Sequence, residues 1–242
     1  MRIDVFLAEK GLVGSRSEAK QLLKAGAVIV DGKVITKPSF NIDGLEEKII
    51  VDRSSIKYVS RGGLKLDGAL CVFEASPKDK LCIDVGASSG GFTDCLLQHG
   101  AKHVLAVDSG SEQLVKSIRQ DKRVTVFERF NARYMKPSHF PYKPNFAVMD
   151  VSFISATLLF ESLYNVLDEQ ADFICLVKPQ FEVGRTALGK GGIVRDEKAR
   201  NKALSNVVAY AKNVGFEAKG AMVSPITGGD GNIEFLVHFR KG

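Results

Sequence analysis

Nowhere in this chain of 242 residues do about eighteen apolar residues run uninterrupted, and the N-terminus lacks the apolar core of a secretory signal. The sequence therefore predicts neither a membrane span nor export. Cysteine is scarce too: Cys71, Cys82, Cys95 and Cys175 lie far apart, form no C-x-x-C, and two of them sit inside apolar strand-like runs. They read as buried thiols of a reducing, cytoplasmic compartment rather than a disulfide framework. The four histidines, His99, His103, His139 and His238, make no H-E-x-x-H and no ligand cluster, so no metal is expected. Internal repeats and low-complexity tracts are absent as well.

What is present is enough apolar material, 45% of residues, to bury a full core, at a length that suits one large domain and one small one. The net charge of +6 points weakly to a polyanionic partner.

The most informative stretch is Cys82-Ile83-Asp84-Val85-Gly86-Ala87-Ser88-Ser89-Gly90-Gly91-Phe92-Thr93-Asp94. An apolar run ends in a glycine-rich turn, passes into a helix-like segment, and is followed by a second apolar run that stops at Asp108. Glycines there let main chain approach a ligand and adopt positive φ, and the helix aims its unpaired N–H groups into the turn. Asp108, at the end of the next strand, is placed to accept hydrogen bonds from ribose hydroxyls. Taken alone, the turn leaves NAD, S-adenosylmethionine and an inert turn in competition. Its spacing is G-x-x-x-G-G, not the dinucleotide G-x-G-x-x-G, and this favours S-adenosylmethionine, with Asp84, Gly86, Ala87, Ser88, Gly90, Gly91, Phe92 and Asp108 as cofactor residues.

Residues 1–52 read as a separate module. Ser15-Arg16-Ser17-Glu18 has the capping-box spacing, which predicts a helix from Arg16 to about Ala25, and Arg16, Lys20 and Lys24 fall on one side of it. Asp31-Gly32 between two apolar runs signals a two-residue hairpin. With Arg2-Ile3-Asp4-Val5-Phe6-Leu7 and Gly26 to Val34, these segments resemble the S4 RNA-binding domain. That resemblance implies that Arg16, Lys20, Lys24 and Lys33 contact RNA phosphates, which position RNA without reading sequence. Residues 53–63 form a polar, basic linker, which adds Arg61 to the expected RNA contacts.

From residue 64 to 242 helices alternate with strands. Strands are expected near 81–85, 103–107, 124–128, 146–150, 173–177, 218–223 and 233–239, and helices near 64–73, 91–99, 112–120, 155–167 and 196–213. The pattern predicts an α/β fold, a Rossmann-like seven-stranded methyltransferase domain behind the small α+β module, with the last strand antiparallel. In such sheets chemistry lies beyond the carboxyl ends of the strands. That edge should collect Asp84, Asp108, Asp150 and Lys178, with Glu234 opening the last, reversed strand and Lys65 arriving on its helix.

The order Lys65, Asp150, Lys178, Glu234 resembles the K-D-K-E tetrad of FtsJ-type ribose 2′-O-methyltransferases. Together with the S4-like module, the 59–65 segment, the glycine turn and the runs at 150–153 and 177–184, the whole chain resembles the TlyA family. Its members carry the name hemolysin yet methylate cytidine 2′-hydroxyls of ribosomal RNA. The resemblance implies S-adenosyl-L-methionine as cofactor, ribosomal RNA within ribosomal subunits as partner, no membrane and no obligate protein partner. It also carries Asn131 over as a residue near adenine.

A sugar hydroxyl is a weak acid that must lose its proton while attacking a methyl group, so the site needs a base and cations that favour the forming alkoxide. Lys178 is assigned as base, Lys65 as its neighbouring stabiliser, and Asp150 and Glu234 as orienting carboxylates, Asp150 also lying near the cofactor. The rival readings are a catalytically silent RNA-binding or assembly factor and a pore-forming hemolysin. Gly184 to Gly191 imitates a P-loop but has Gly191 where Ser or Thr would bind magnesium, and it reads either as a mobile basic loop able to close over RNA or cofactor or as plain disorder.

Overall fold

The computed structural model describes all residues except 25, 44–48, 53–56, 185–187 and 229–230, and the backbone alone for Ser17 and Gln21. The chain divides into two compact units, Met1–Arg61 and Gly62–Gly242, each taken here by itself.

In the first unit, α1 (Ile3–Glu9) and α2 (Arg16–Lys24) pack on a small sheet of β1 (Val28–Val30), β2 (Lys33–Val34) and β3 (Ile49–Val51), ordered β2-β1-β3. Ser15 opens α2 by accepting the Glu18 N–H at 3.1 Å. The Glu18 carboxylate reaches back to the Gly14 N–H at 2.6 Å, one residue before the cap, so the capping pair forms in shifted register. Asp31 and Gly32 both have positive φ, 48° and 73°, as a type I′ hairpin turn demands. Ile3, Leu7, Ala19, Leu23, Val28 and Ile42 make a fully buried core. Residue 25, the expected end of α2, lies outside the described residues, as do 53–56 of the expected linker.

The second unit begins with α3 (Gly62–Val72) and continues through β4 (Leu81–Val85), α4 (Gly91–Gln98), β5 (His103–Val107), α5 (Lys116–Arg119), β6 (Val124–Phe127) and β7 (Phe146–Met149). Then come α6 (Phe160–Val166), β8 (Asp172–Val177), α7 (Pro179–Glu182), α8 (Glu197–Val214), β9 (Phe216–Val223) and β10 (Phe235–Lys241). The seven strands are ordered β6-β5-β4-β7-β8-β10-β9. The first five run parallel, and β10 inserts antiparallel between β8 and β9. Near-continuous burial of β4, β5, β7 and β8 is what a sheet covered on both faces requires.

The helix expected over 112–120 shrinks to α5, because Glu112 has a left-handed backbone, φ 58°, and its N–H is taken by Glu128 Oε1 at 2.7 Å. Likewise the segment expected to be helical from 155 starts as a 3₁₀ turn over Ala156–Leu159 before α6. Strand order reverses at β4, and the crevice this creates lies at the carboxyl ends of β4 and its neighbours.

Candidate active site

Each sheet-edge residue is placed by the end of its strand. Asp84 lies within β4 and Gly86 just beyond it, Asp108 follows β5, Asp150 follows β7, and Lys178 follows β8. Glu234 directly precedes β10, which begins at Phe235 rather than at Glu234 as expected. Because β10 runs antiparallel, its start meets the end of β8: Phe235 pairs with Val177. Lys65 comes from the first turn of α3.

Folding joins these groups as two ion pairs. Lys65 Nζ donates to Glu234 Oε2 at 2.5 Å, and both groups are buried. Lys178 Nζ lies 2.5 Å from Asp150 Oδ1, as an ion pair without hydrogen-bond geometry, and donates instead to Ser152 Oγ at 2.7 Å. Gln180, on α7 beside Lys178, donates to Glu234 Oε1 at 3.5 Å and so bridges toward the other pair. Buried charges this close to their partners resist separation, since a lone buried charge is costly.

The glycine turn does two jobs. Gly86 and Gly90 have positive φ, 87° and 95°. A Cβ on Gly86 would stand 2.4 Å from the Asp150 carbonyl oxygen, and one on Gly90 would stand 2.9 Å from Leu114 Cδ1. The close approach that glycine permits is thus to the protein's own chain, which brings the β4 turn against the Asp150 loop. Gly91 is the first residue of α4, and Phe92 and Ala87 are buried. Asp108 is clamped by the Ser88 N–H on Oδ2 and the Gly110 N–H on Oδ1, each at 2.7 Å. Each oxygen keeps acceptor capacity for a further donor such as a ribose hydroxyl.

Asp84 is fully buried. Thr93 Oγ1 donates to its Oδ2 at 2.6 Å, while Oδ1 has no donor among the described residues. Burial pushes its carboxyl up to about 7, against the Thr93 hydrogen bond and helped by the nearby Asp150 and Asp108. An orphaned buried acid of this kind, beside a clamped Asp108, fits a ligand that carries both a cationic amine and a ribose.

Asn131 is exposed and caps a 3₁₀ turn, its Oδ1 accepting the Arg133 N–H at 3.0 Å. In the first unit Lys20, Lys24 and Lys33 are exposed and Arg61 is half-buried. Arg16 is tied to the buried Asp4 at 3.2 Å, and Arg2 grips the same carboxylate at 2.9 Å, so the expected row of three equivalent cations is in fact two lysines and a tethered arginine. Residues 185–187 of the P-loop imitation lie outside the described residues.

Several groups escaped sequence reasoning. Ser152 and Thr93 are hydroxyls with no motif to mark them, although Ser152 stands two residues after Asp150. Phe153 is 88% exposed with φ 68°, and its ring lies 5.4 Å from that of Phe181. Asp67, Cys95 and His99 bring one possible metal-ligating atom each within 4.8 Å of one another, a grouping hidden by the sequence separation of Asp67. No helix of the described residues is long and apolar enough to cross a membrane.

With this geometry in hand, comparison with known proteins finds the FtsJ-like methyltransferase family over residues 58–241 and the S4 domain over residues 1–47. A candidate rRNA methyltransferase of Bacillus subtilis, YqxC, is 49% identical over 99% of this chain and 85% of its own length. The 16S/23S rRNA (cytidine-2′-O)-methyltransferase TlyA of Mycobacterium tuberculosis is 40% identical over 99% of this chain and 89% of its own. A solved structure of a hemolysin candidate from Streptococcus thermophilus matches with a TM-score of 0.80 and 46% identity, covering 100% of this chain and 88% of that one.

Proposed function

Because the chain belongs to the FtsJ-like methyltransferase family and carries an S4 domain ahead of its α/β unit, we propose that it methylates ribose 2′-hydroxyls of ribosomal RNA, at cytidine. It is an S-adenosylmethionine-dependent enzyme of that family. The observation that carries the substrate reading is the meeting of Lys178–Asp150 and Lys65–Glu234 at one sheet edge, beside an orphaned acid and a clamped Asp108.

Bound S-adenosylmethionine supplies an electrophilic methyl group on a sulfonium. Asp84 and the 86–92 turn would hold its amino-acid end, Asp108 its ribose, and Asn131 would lie near its base. Lys178 already hydrogen-bonds one hydroxyl, that of Ser152, and a ribose 2′-hydroxyl entering the edge takes up a similar contact. Bound there, the cofactor would supply the methyl group and leave as the neutral thioether, and Lys178, once in its neutral amine form, would take the hydroxyl proton. Paired with Asp150 and donating to Ser152, Lys178 is an ammonium, so the pair must open and one proton must first pass to solvent before Lys178 can act as base; until then Asp150 positions it. Lys65, kept in place by Glu234, favours the developing negative charge on oxygen. Holding the ribose hydroxyl in line with the methyl donor would lower the entropic part of the barrier.

The S4 unit, residues 1–52 with the linker to 63, docks the RNA through Lys20, Lys24, Lys33, Arg61 and the tethered Arg16. The exposed Phe153 ring gives a base a face to stack on at the site's rim. The cytoplasm, where ribosomal RNA is met and the four free cysteines stay reduced, is its place of action.

The test is transfer of labelled methyl groups to purified ribosomal subunits, followed by mass mapping of ribonuclease fragments. Ribose methylation of cytidine by the native chain, absent in Lys178→Ala, is expected. Tight RNA binding and intact cofactor binding without any methyl transfer would overturn the enzymatic reading in favour of an assembly factor.

A further inference from the structure

The 150–156 segment, which follows β7, and the 178–182 segment, which follows β8, are joined at three levels. At the first, Lys178 meets Asp150 and Ser152. At the second, the rings of Phe153 and Phe181 lie 5.4 Å apart between centroids. At the third, Glu182 takes two hydrogen bonds from the far end of the loop: the Ala156 N–H donates to Oε1 at 2.8 Å and Ser155 Oγ donates to Oε2 at 2.6 Å. The first level is the proposed catalytic pair. The third has no part in the chemistry described above.

Capping of the 3₁₀ turn does not account for Glu182. Ser155 Oγ already accepts the Thr157 N–H, so that turn has its own cap. The loop nevertheless needs holding, because Phe153 stands in a left-handed conformation that an aromatic residue adopts only when its surroundings impose it. Glu182 is also placed at some cost. Burial raises its carboxyl above the ordinary glutamate value, against the hydrogen bonds from Ser155 and Ala156.

We infer that Glu182 is a positioning residue for the methyl-acceptor side of the site: by gripping residues 155 and 156 it holds Asp150 and Ser152 in register with Lys178, and so sets where the ribose hydroxyl is received. The inference rests on the proposed reaction for its kinetic consequence, not for the clasp itself. Both strands of the clasp hang from rigid neighbours, since β7 and β8 pair in parallel from Phe146 to Met149. Loosening the third level therefore frees the loop without moving the strand ends.

Two variants and two readouts test it. Glu182→Ala removes both acceptors, whereas Glu182→Gln keeps a carbonyl oxygen for the Ala156 N–H and an amide that hydrogen-bonds the Ser155 hydroxyl. Hydrogen exchange of the 151–156 amides is measured on full-length protein without RNA, and kcat and KM are measured on ribosomal subunits. The expected result is exchange at Ala156 faster by about tenfold in Glu182→Ala, with kcat lowered by about tenfold, KM for S-adenosylmethionine unchanged, and both effects largely rescued in Glu182→Gln. Unchanged exchange in Glu182→Ala overturns the clasp. Faster exchange with native kcat, or a kcat loss that merely follows a loss of folded protein, overturns the positioning role. If the native chain transfers no methyl group, the proposed reaction fails while the exchange arm still decides the clasp.

Discussion

Asp84 and Asp172 are both buried on the same sheet, one near the carboxyl end of β4 and the other at the amino end of β8, and burial leads them to opposite states. Burial pushes Asp84 up to about 7, with the Thr93 hydroxyl and backbone N–H in opposition and with Asp150 and Asp108 adding to the rise. Burial pushes Asp172 upward as well, but His238 at 3.0 Å and Lys80 at 2.7 Å outweigh it and hold the carboxyl down at about 2. The amino edge is thus a closed ionic staple across β8 and β10, and Arg240 lies 3.9 Å from the same carboxylate. At the carboxyl edge one acid is left short of donors, so its burial is offset only when a ligand brings a cation. A satisfied buried carboxylate stabilises the fold, and an unsatisfied one is a candidate ligand site.

The contrast can be broken in order of effect. Lys178→Ala should lower methyl transfer by at least about a hundredfold while cofactor binding, measured by calorimetry, stays within a few-fold of native. Asp172→Asn should cost about 2 kcal/mol of stability at neutral pH, seen in denaturant melts, without changing the activity of folded protein. Because the Asp172 carboxyl is held low in the folded state, its stabilisation is present above the ordinary value of about 3.9 and disappears as pH falls through about 2; the variant should lack that acid slope.

Asp84 has the opposite sign. With its folded value raised, its contribution to stability is present below about 4 and is lost as pH rises through about 7. A cationic ligand favours the carboxylate, so affinity for S-adenosylmethionine should rise several-fold across roughly pH 5.5 to 7.5, and Asp84→Asn should flatten that rise. Affinity that falls with pH would mean that Asp84 acts as a proton donor instead. The smallest effect belongs to a helix cap outside the two ion pairs: Asp196 caps α8 through the Lys198 and Ala199 N–H groups, and Asp196→Ala should cost about 1 kcal/mol with methyl transfer by the folded protein changed less than about twofold.

Local chemistry made much of this legible. Strands over 81–85 and 103–107 matched their apolar runs because those runs are short, β-branched and closed by Asp or Gly. Asp31-Gly32 specified its turn because few residue pairs tolerate two positive φ values in succession. The misread stretch around Glu112 shows the limit: nothing in its own segment announces that Glu128, sixteen residues on, captures its N–H and bends the chain out of a helix. Arg16 is a similar case, since helical spacing put it in a row with Lys20 and Lys24, yet the buried Asp4, twelve residues earlier, claims it.

What the sequence determined by itself was the α/β alternation, the glycine turn with its G-x-x-x-G-G spacing, and the types of residue that reach the carboxyl edge. Periodicity, turn chemistry and strand-end position are all set within a few residues. Only the tertiary structure decided the partners. Lys65 is joined to Glu234 across 169 positions, Lys178 shares its ammonium between Asp150 and Ser152, and Asp84 keeps one oxygen without a donor among the described residues while both oxygens of Asp172 are paired. Pairing of buried charges depends on which strand ends the sheet order brings side by side, and a strand order such as β7-β8-β10 comes from packing the whole unit rather than from any one segment.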